Sequence, residues 1–296
     1  MALDAVPRLP QDLERAIFEV AVAEGTNTLK LILVAHRCRI WLEPMLYHTL
    51  TISQLTWSPS LPLLLQTLEA HPVRAACWIR YIRIDPYITQ NDPSVTKLLS
   101  LCTGVVRLAD FSYGRTPLRV LTRMKRLTRL CITLDTVDGL GLRSSPGAVS
   151  QFSFPRLTHL HLFDPPQRWA AISNFITPTH FPALRHLALR SYKQHINPVF
   201  VPILQKILNS KAGQALESLA IHVVASKEKE NQNPDDSETT TFLDPRVQII
   251  SEPLVLGAHY DPWATSAPGH CQPDWTGGKI KRTRRGLRKR KGSGEC

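Results

Sequence analysis

Six short segments of the chain share one arrangement of apolar and polar positions. They are Ile79-Arg-Tyr-Ile-Arg-Ile84, Val105-Val-Arg-Leu-Ala-Asp110, Leu127-Thr-Arg-Leu-Cys-Ile132, Leu157-Thr-His-Leu-His-Leu162, Leu184-Arg-His-Leu-Ala-Leu189 and Leu216-Glu-Ser-Leu-Ala-Ile221. Each follows L-x-x-L-x-L, except that Asp110 breaks the last position of its copy, and the fourth and fifth are both led by Phe-Pro-x at 154 and 181. The last two apolar positions alternate with polar ones, so they lie on one face of a short strand and the intervening residues on the other. Between the copies the period changes to that of a helix: Trp169, Ile172 and Ile176 share a face, as do Ile203, Leu204, Ile207 and Leu208 after Pro202.

The first positions of successive copies lie 22 to 32 residues apart. A unit of that size cannot bury its apolar face alone, and stacking on its neighbours completes the core. The pattern resembles degenerate leucine-rich repeats and predicts an α/β fold over residues 51–256, an irregular strand–helix solenoid with parallel strands on its concave side. In that register Tyr81, Arg83, Arg107, Arg129, Thr133, His159, His161, His186, Arg190 and His222 form an exposed row. Arginine pairs with carboxylate and phosphate in fixed geometry. Arg83, Arg107, Arg129, His159, His161, His186 and Arg190 are therefore the expected contacts to an acidic or phosphorylated target protein, with a solvated strand face as the alternative.

Residues 5–50 read as a separate three-helix unit. Pro10 suits a first helical turn, Asp12 and Glu14 complement the helix dipole, and Leu13, Ile17, Val20 and Ala21 recur at helical spacing up to Gly25. Thr28 can cap a second helix with Leu29, Ile32, Leu33 and Ile40 on one face, which Pro44 is expected to interrupt. Trp41, Leu42, Leu46 and Tyr47 then form a third apolar cluster. So small a unit leans on a neighbouring domain or a partner. Leu9-Pro10-x-x-Leu13 with Ile17 and Val20, followed by Leu31 to Tyr47, resembles the F-box-like domain of fungal proteins. The resemblance implies that Leu9, Pro10, Leu13, Ile17, Leu33, Val34 and Trp41 dock on the linker subunit of a cullin–RING (SCF-type) ubiquitin ligase, with the cullin scaffold engaged indirectly. A plain three-helix cap over the end of the repeats is the competing reading.

Composition narrows the picture further. The chain has 296 residues, 43% of them apolar, and a formal charge of +12 that is unevenly spread. Lys279 to Cys296 holds nine Lys/Arg and one Glu, whereas 227–244 holds two Lys and six acids. The stretch 227–241 thus reads as a flexible acidic loop and 257–296 as an irregular, disordered basic tail. Lys281, Arg282, Arg284, Arg285, Arg288, Lys289, Arg290 and Lys291 suit an import-receptor address or a nucleic-acid backbone, which puts nuclear residence ahead of cytoplasmic. Six cysteines are scattered singly, with no Cys-x-x-Cys pair, and read as free thiols of an intracellular protein. No secretory leader or membrane span is expected.

Catalytic patterns are missing from the sequence. There is no Walker or Rossmann phosphate loop, Gly139-Leu-Gly141 lacks a following helix signature, and no nucleophile comes with an activating base. His159-x-His161, and His270-Cys271 with His259 and Asp261, match no metal motif. The expectation is a non-enzymatic adaptor without a cofactor, joining a target protein to a ubiquitin ligase for degradation. The alternative is a nuclear nucleic-acid-associated or scaffold protein that works through its tail.

Overall fold

The computed structural model describes residues 9–85, 93–112, 116–134, 137–138, 152–191, 200–225 and 244–253. Three helices lead: α1 (Gln11–Ala23), α2 (Thr28–Leu31) and α3 (His36–Tyr47). Then come β1 (Thr49–Ile52), α4 (Gln54–Ala70), α5 (Pro72–Trp78), β2 (Tyr81–Ile84), α6 (Pro93–Leu101), β3 (Arg107–Asp110), β4 (Thr116–Pro117), α7 (Leu118–Leu121), β5 (Arg129–Ile132), β6 (Val137–Asp138) and β7 (His159–Leu162). The chain continues with α8 (Trp169–Phe175), β8 (His186–Ser191), α9 (Val201–Asn209), α10 (Lys211–Gln214), β9 (Ser218–Ala225) and β10 (Val247–Pro253).

The fold is mixed α/β around an eight-stranded sheet ordered β1-β2-β3-β5-β7-β8-β9-β10, with β4 and β6 forming a small second sheet. Every pairing is parallel, so each strand joins the sheet beside its predecessor after a crossover. All six apolar copies become neighbouring strands in this order. Their second-position residues, Ile82, Leu108, Leu130, Leu160, Leu187 and Leu219, meet across the sheet between Leu50 and Val247. These residues join the first-position residues Ile79, Val105, Leu127, Leu157, Leu184 and Leu216 in one continuous core with α8 and α9. The predicted helical faces appear there as well: Trp169, Ile172 and Ile176 are buried, and so are Leu204, Ile207 and Leu208.

Pro44 does not end a helix, contrary to the expectation from sequence. The break falls earlier, at Ile32–Ala35, and α3 runs through Pro44 to Tyr47. A proline inside a helix removes one amide donor and crowds the preceding turn. Here the turns of α3 ahead of that point are pinned by Cys38 and Leu42, which are fully buried. The cap of α2 is also one residue earlier than expected, because the side chain of Asn27 accepts the Leu29 amide.

Asp110 shows how a broken repeat position is accommodated. It takes the slot that Ile84 and Ile132 fill in the flanking strands, yet it is buried. Its Oδ1 accepts the Ser112 amide at 3.0 Å and the Ser112 hydroxyl at 2.6 Å, and its Oδ2 accepts the Thr116 hydroxyl at 2.5 Å. Burial pushes its pKa upward more strongly than these three donors lower it. Asp110→Ala leaves those donors without their acceptor and is expected to lower stability by about 2–3 kcal/mol. Asp110→Asn retains an acceptor and removes the titration. A raised folded-state pKa favours folding below the unfolded value near 3.8 and is lost as pH rises through the folded value. The stability of Asp110→Asn relative to wild type therefore increases from pH 4 to pH 7, and urea unfolding at the two pH values measures it.

Candidate partner-binding surfaces

The N-terminal helices touch the rest of the molecule mainly through α3, which packs on α1 and α2 on one side and on α5 and β1 on the other. Arg37 donates to Glu14 Oε1 from Nε at 2.9 Å and from Nη2 at 2.6 Å, fastening α3 to α1. Helix α1 contains no buried residue. Leu9, Leu13, Ile17 and Val20 are each more than half exposed, and with Ala16 and Ala21 they line one shallow apolar groove. Leu29, Val34 and Ile40 are similarly exposed, and Leu33 reaches 83%. Of the residues assigned to docking by resemblance, Leu9, Pro10, Leu13, Ile17, Leu33 and Val34 are exposed and Trp41 is half-buried. Val20, Leu29 and Ile40 are exposed apolar residues of the same three helices that the resemblance does not assign. Their helical spacing was visible in the sequence, but spacing alone does not say whether an apolar face is covered.

Sheet geometry alters the second surface. Strand register sets Thr49, Tyr81, Arg107, Arg129, His159, His186 and Ser218 in one row across seven strands. The next row on the same face is Thr51, Arg83, Ala109, Cys131, His161, Ala188, Ala220 and Gln248. A third holds Arg190 beside His222. The expected residues do share a face, but it is not uniformly exposed. Tyr81, Arg107, Arg129, Thr133, His159 and His186 are half-buried, while Arg83, His161, Arg190 and His222 are buried. These last four are therefore corrected from exposed contacts to interior groups.

The reason is a second apolar cluster of Ala109, Cys131 and Phe163, with Phe111 against it, on the face opposite the main core. Phe111 and Phe163 meet edge to face at 5.0 Å. Arg83 lies over the Phe111 ring at 5.5 Å and Arg190 over Phe163 at 4.9 Å, while His161 stacks on Phe163 at 4.7 Å and on His222 at 4.8 Å. Aromatic faces attract the guanidinium groups and shield them from water. Short side chains at 109, 131, 188 and 220 make room for this layer. Nothing in L-x-x-L-x-L marks the residue after the strand, so this cluster escapes a reading by pattern.

The half-buried row carries two arginines and two histidines. Arg107 lies over the Tyr81 ring at 4.9 Å, and its Nη1 is buried without a hydrogen bond. His159 and His186 face each other at 4.3 Å. His159 Nδ1 is 2.8 Å from the Thr158 hydroxyl and His186 Nδ1 is 2.9 Å from the Ser218 hydroxyl. Glu217 approaches His186 Nε2 at 3.7 Å and Arg185 at 3.7 Å. At the near end of the row, His48 packs edge-on against Tyr81 at 4.6 Å. Burial lowers its pKa, with Arg80 and Arg107 adding to the effect, so the ring is neutral at pH 7.

Among the described residues no group of three His, Cys, Asp or Glu side chains is placed to hold a metal ion. His159 and His161 stand on one face, but the second is buried under Phe163. Burial pushes the Cys102 thiol up to about 12, which keeps it protonated and unreactive at neutral pH. No described helix is long and apolar enough to cross a membrane. The acidic stretch 227–241, Gly139-Leu-Gly141, His259, Asp261, His270, Cys271 and the basic residues from Lys281 to Lys291 lie outside the described residues. No protein-family model matches the chain, and no curated protein matches it.

Proposed function

We propose that this chain is a non-catalytic adaptor. Its N-terminal helices dock on the linker subunit of a cullin–RING ubiquitin ligase, and its repeats, a degenerate leucine-rich solenoid, hold a target protein. One observation carries the reading: an apolar groove from Leu9 to Val20 is presented to solvent, with Leu33 and Val34 also exposed, by a unit that rests on the sheet through α3. An exposed apolar patch of this kind marks an interaction site in a stable protein. The F-box-like pattern of the same residues names the partner. Holding the target beside the ligase raises its effective concentration at the ubiquitin carrier, so the adaptor needs no chemistry of its own.

Co-purification of the full chain with the linker subunit tests this. Leu13→Asp with Ile17→Asp is expected to weaken retention by at least about 30-fold, since truncated anchors at the centre of an interface are each worth about 2 kcal/mol or more. Both side chains are exposed, so the melting temperature stays within a degree or two of wild type. Equal retention of the double variant and wild type would end the adaptor reading. A second reading rests on the nine Lys/Arg of 279–291, a nucleic-acid-associated scaffold. It requires binding to duplex DNA or RNA that falls steeply with salt and vanishes when that segment is removed.

A further inference from the structure

We infer that the turns entering β5 and β7 form a cationic rim, Arg123, Lys125, Arg126 and Arg156, that seats the phosphate backbone of a nucleic-acid duplex. The inference goes beyond the adaptor reading and shares no residue with the groove on α1. It also differs from a scaffold that works through its tail, because the contact lies in the folded body. Charge distribution points there first. Residues 97–211 hold sixteen Lys/Arg against four Asp, a net +12 that equals the charge of the whole chain. Everything outside that stretch, the basic tail included, balances at twenty Lys/Arg and twenty Asp/Glu. Two of the four aspartates, Asp110 and Asp164, are buried.

Backbone bonding gathers the exposed part of this charge. The Thr158 amide donates to the Thr128 carbonyl at 2.9 Å and the Arg185 amide to the Thr158 carbonyl at 3.0 Å, which sets the turns ahead of β5, β7 and β8 side by side. Arg126 and Arg156 stand two residues before those threonines, each next to a buried leucine, so they hold equivalent places on neighbouring turns. Arg123 and Lys125 flank the buried Met124 on the first of these turns. All four cations are exposed, and among the described residues no carboxylate pairs with any of them. The rim ends at Arg185, which Glu217 approaches at 3.7 Å.

What accompanies the charge selects the partner. Met124, Leu127, Phe154, Leu157 and Phe181 are buried, so no exposed aromatic or branched aliphatic side chain stands among the cations. A protein partner is held mainly by such anchors at the centre of an interface, and a single strand by stacking its bases on aromatic rings. A duplex keeps its bases stacked and offers phosphate alone. Over the roughly 10 Å from β5 to β8 it carries about six phosphate charges, enough to meet four cations without a fixed register.

The probe is a fluorescein-labelled DNA duplex of about 25 base pairs, long enough to cover the rim. It is titrated into the full chain with the nine Lys/Arg of 279–291 replaced by Gln, so that the tail adds no charge. Binding is expected to persist, with log affinity falling against log salt at a slope of about −3 to −4, the value for four neutralised phosphates. Adding Arg123→Gln, Lys125→Gln, Arg126→Gln and Arg156→Gln flattens that slope by about 3 and weakens binding by at least about 30-fold at about 50 mM salt. Arg156→Gln alone lowers the slope by about 1. All four side chains are exposed, so thermal melts of these variants should match the parent. Arg126→Lys with Arg156→Lys keeps the parent slope, because a backbone contact needs the charge and not the guanidinium fork. An RNA duplex of equal length binds within about threefold, since phosphate charge is all that the rim reads. The inference is overturned by binding that vanishes when the tail alone is neutralised, or by a slope that the four Gln changes leave untouched. Capture of poly-Glu, single-stranded DNA or phosphatidylserine vesicles more tightly than the duplex would overturn it as well.

Discussion

Gly104→Ala is expected to destabilise the chain by about 3 kcal/mol or more, at the upper end of what overpacking does. Gly104 lies in the turn between α6 and β3, where the chain passes against the backbone of α5. A Cβ at this position would sit 1.7 Å from the Ala76 carbonyl oxygen and 2.9 Å from its carbonyl carbon. Backbone cannot swing aside as a side chain can, so α5 and the turn must separate. The same movement stretches the hydrogen bond from Arg80 Nη1 to the Gly104 carbonyl, now 2.8 Å. Gly25 provides the contrast. It has φ +91° with nothing within 4 Å of a Cβ, so Gly25→Ala meets only the backbone penalty of a left-handed conformation, about 1–2 kcal/mol. Urea denaturation should rank Gly104→Ala well below Gly25→Ala, and the reverse order would show that the turn can move away from α5.

Trp169→Ala carries the other large effect, a loss of about 3–5 kcal/mol. Trp169 opens α8 and is fully buried, with its ring 5.5 Å from that of Phe200 and its Nε1 donating to the Asp164 carbonyl at 3.2 Å. Asp164 in turn accepts the Leu134 amide at Oδ2, 2.8 Å away. The indole therefore fills the layer between sheet and helices and also ties α8 to the end of β7. Trp169→Phe separates these roles. It keeps most of the apolar volume and removes the donor, so the expected loss is about 1–3 kcal/mol. Equal losses for the two variants in chemical denaturation would mean that the hydrogen bond, not the volume, dominates.

The strand order is legible in the amino-acid sequence because each copy announces itself by two inward apolar residues and a third just before the strand. β1 and β10 carry a similar apolar pair, Leu50 with Ile52 and Val247 with Ile249, the last of them exposed at the sheet edge, but a different leading residue. Tyr47 leads β1 and packs on the core, and Asp244 leads β10, where its carboxylate binds Arg246 at 2.7 Å. An aromatic lead residue hides β1 from a pattern of aliphatic positions, and the polar lead of β10 leaves its motif incomplete. The candidate surfaces divide in a similar way. That Arg107, Arg129, His159 and His186 share a face follows from alternation alone. That Arg83, His161, Arg190 and His222 are withdrawn from solvent depends on Phe111 and Phe163, which come from different strands.

What the chain determines locally is period and punctuation: which residues alternate, which recur every three or four, and where proline, glycine or a capping Asn27 starts or stops an element. Those features act between neighbours in sequence and need no knowledge of the rest of the molecule. Tertiary structure alone decides coverage. Whether Ile17 meets water or protein, whether His161 is a surface group, and whether Gly104 can tolerate a Cβ all depend on atoms brought up from distant segments. Solvation and steric contact are properties of space rather than of sequence separation, so a pattern can name a face but cannot say what lies against it.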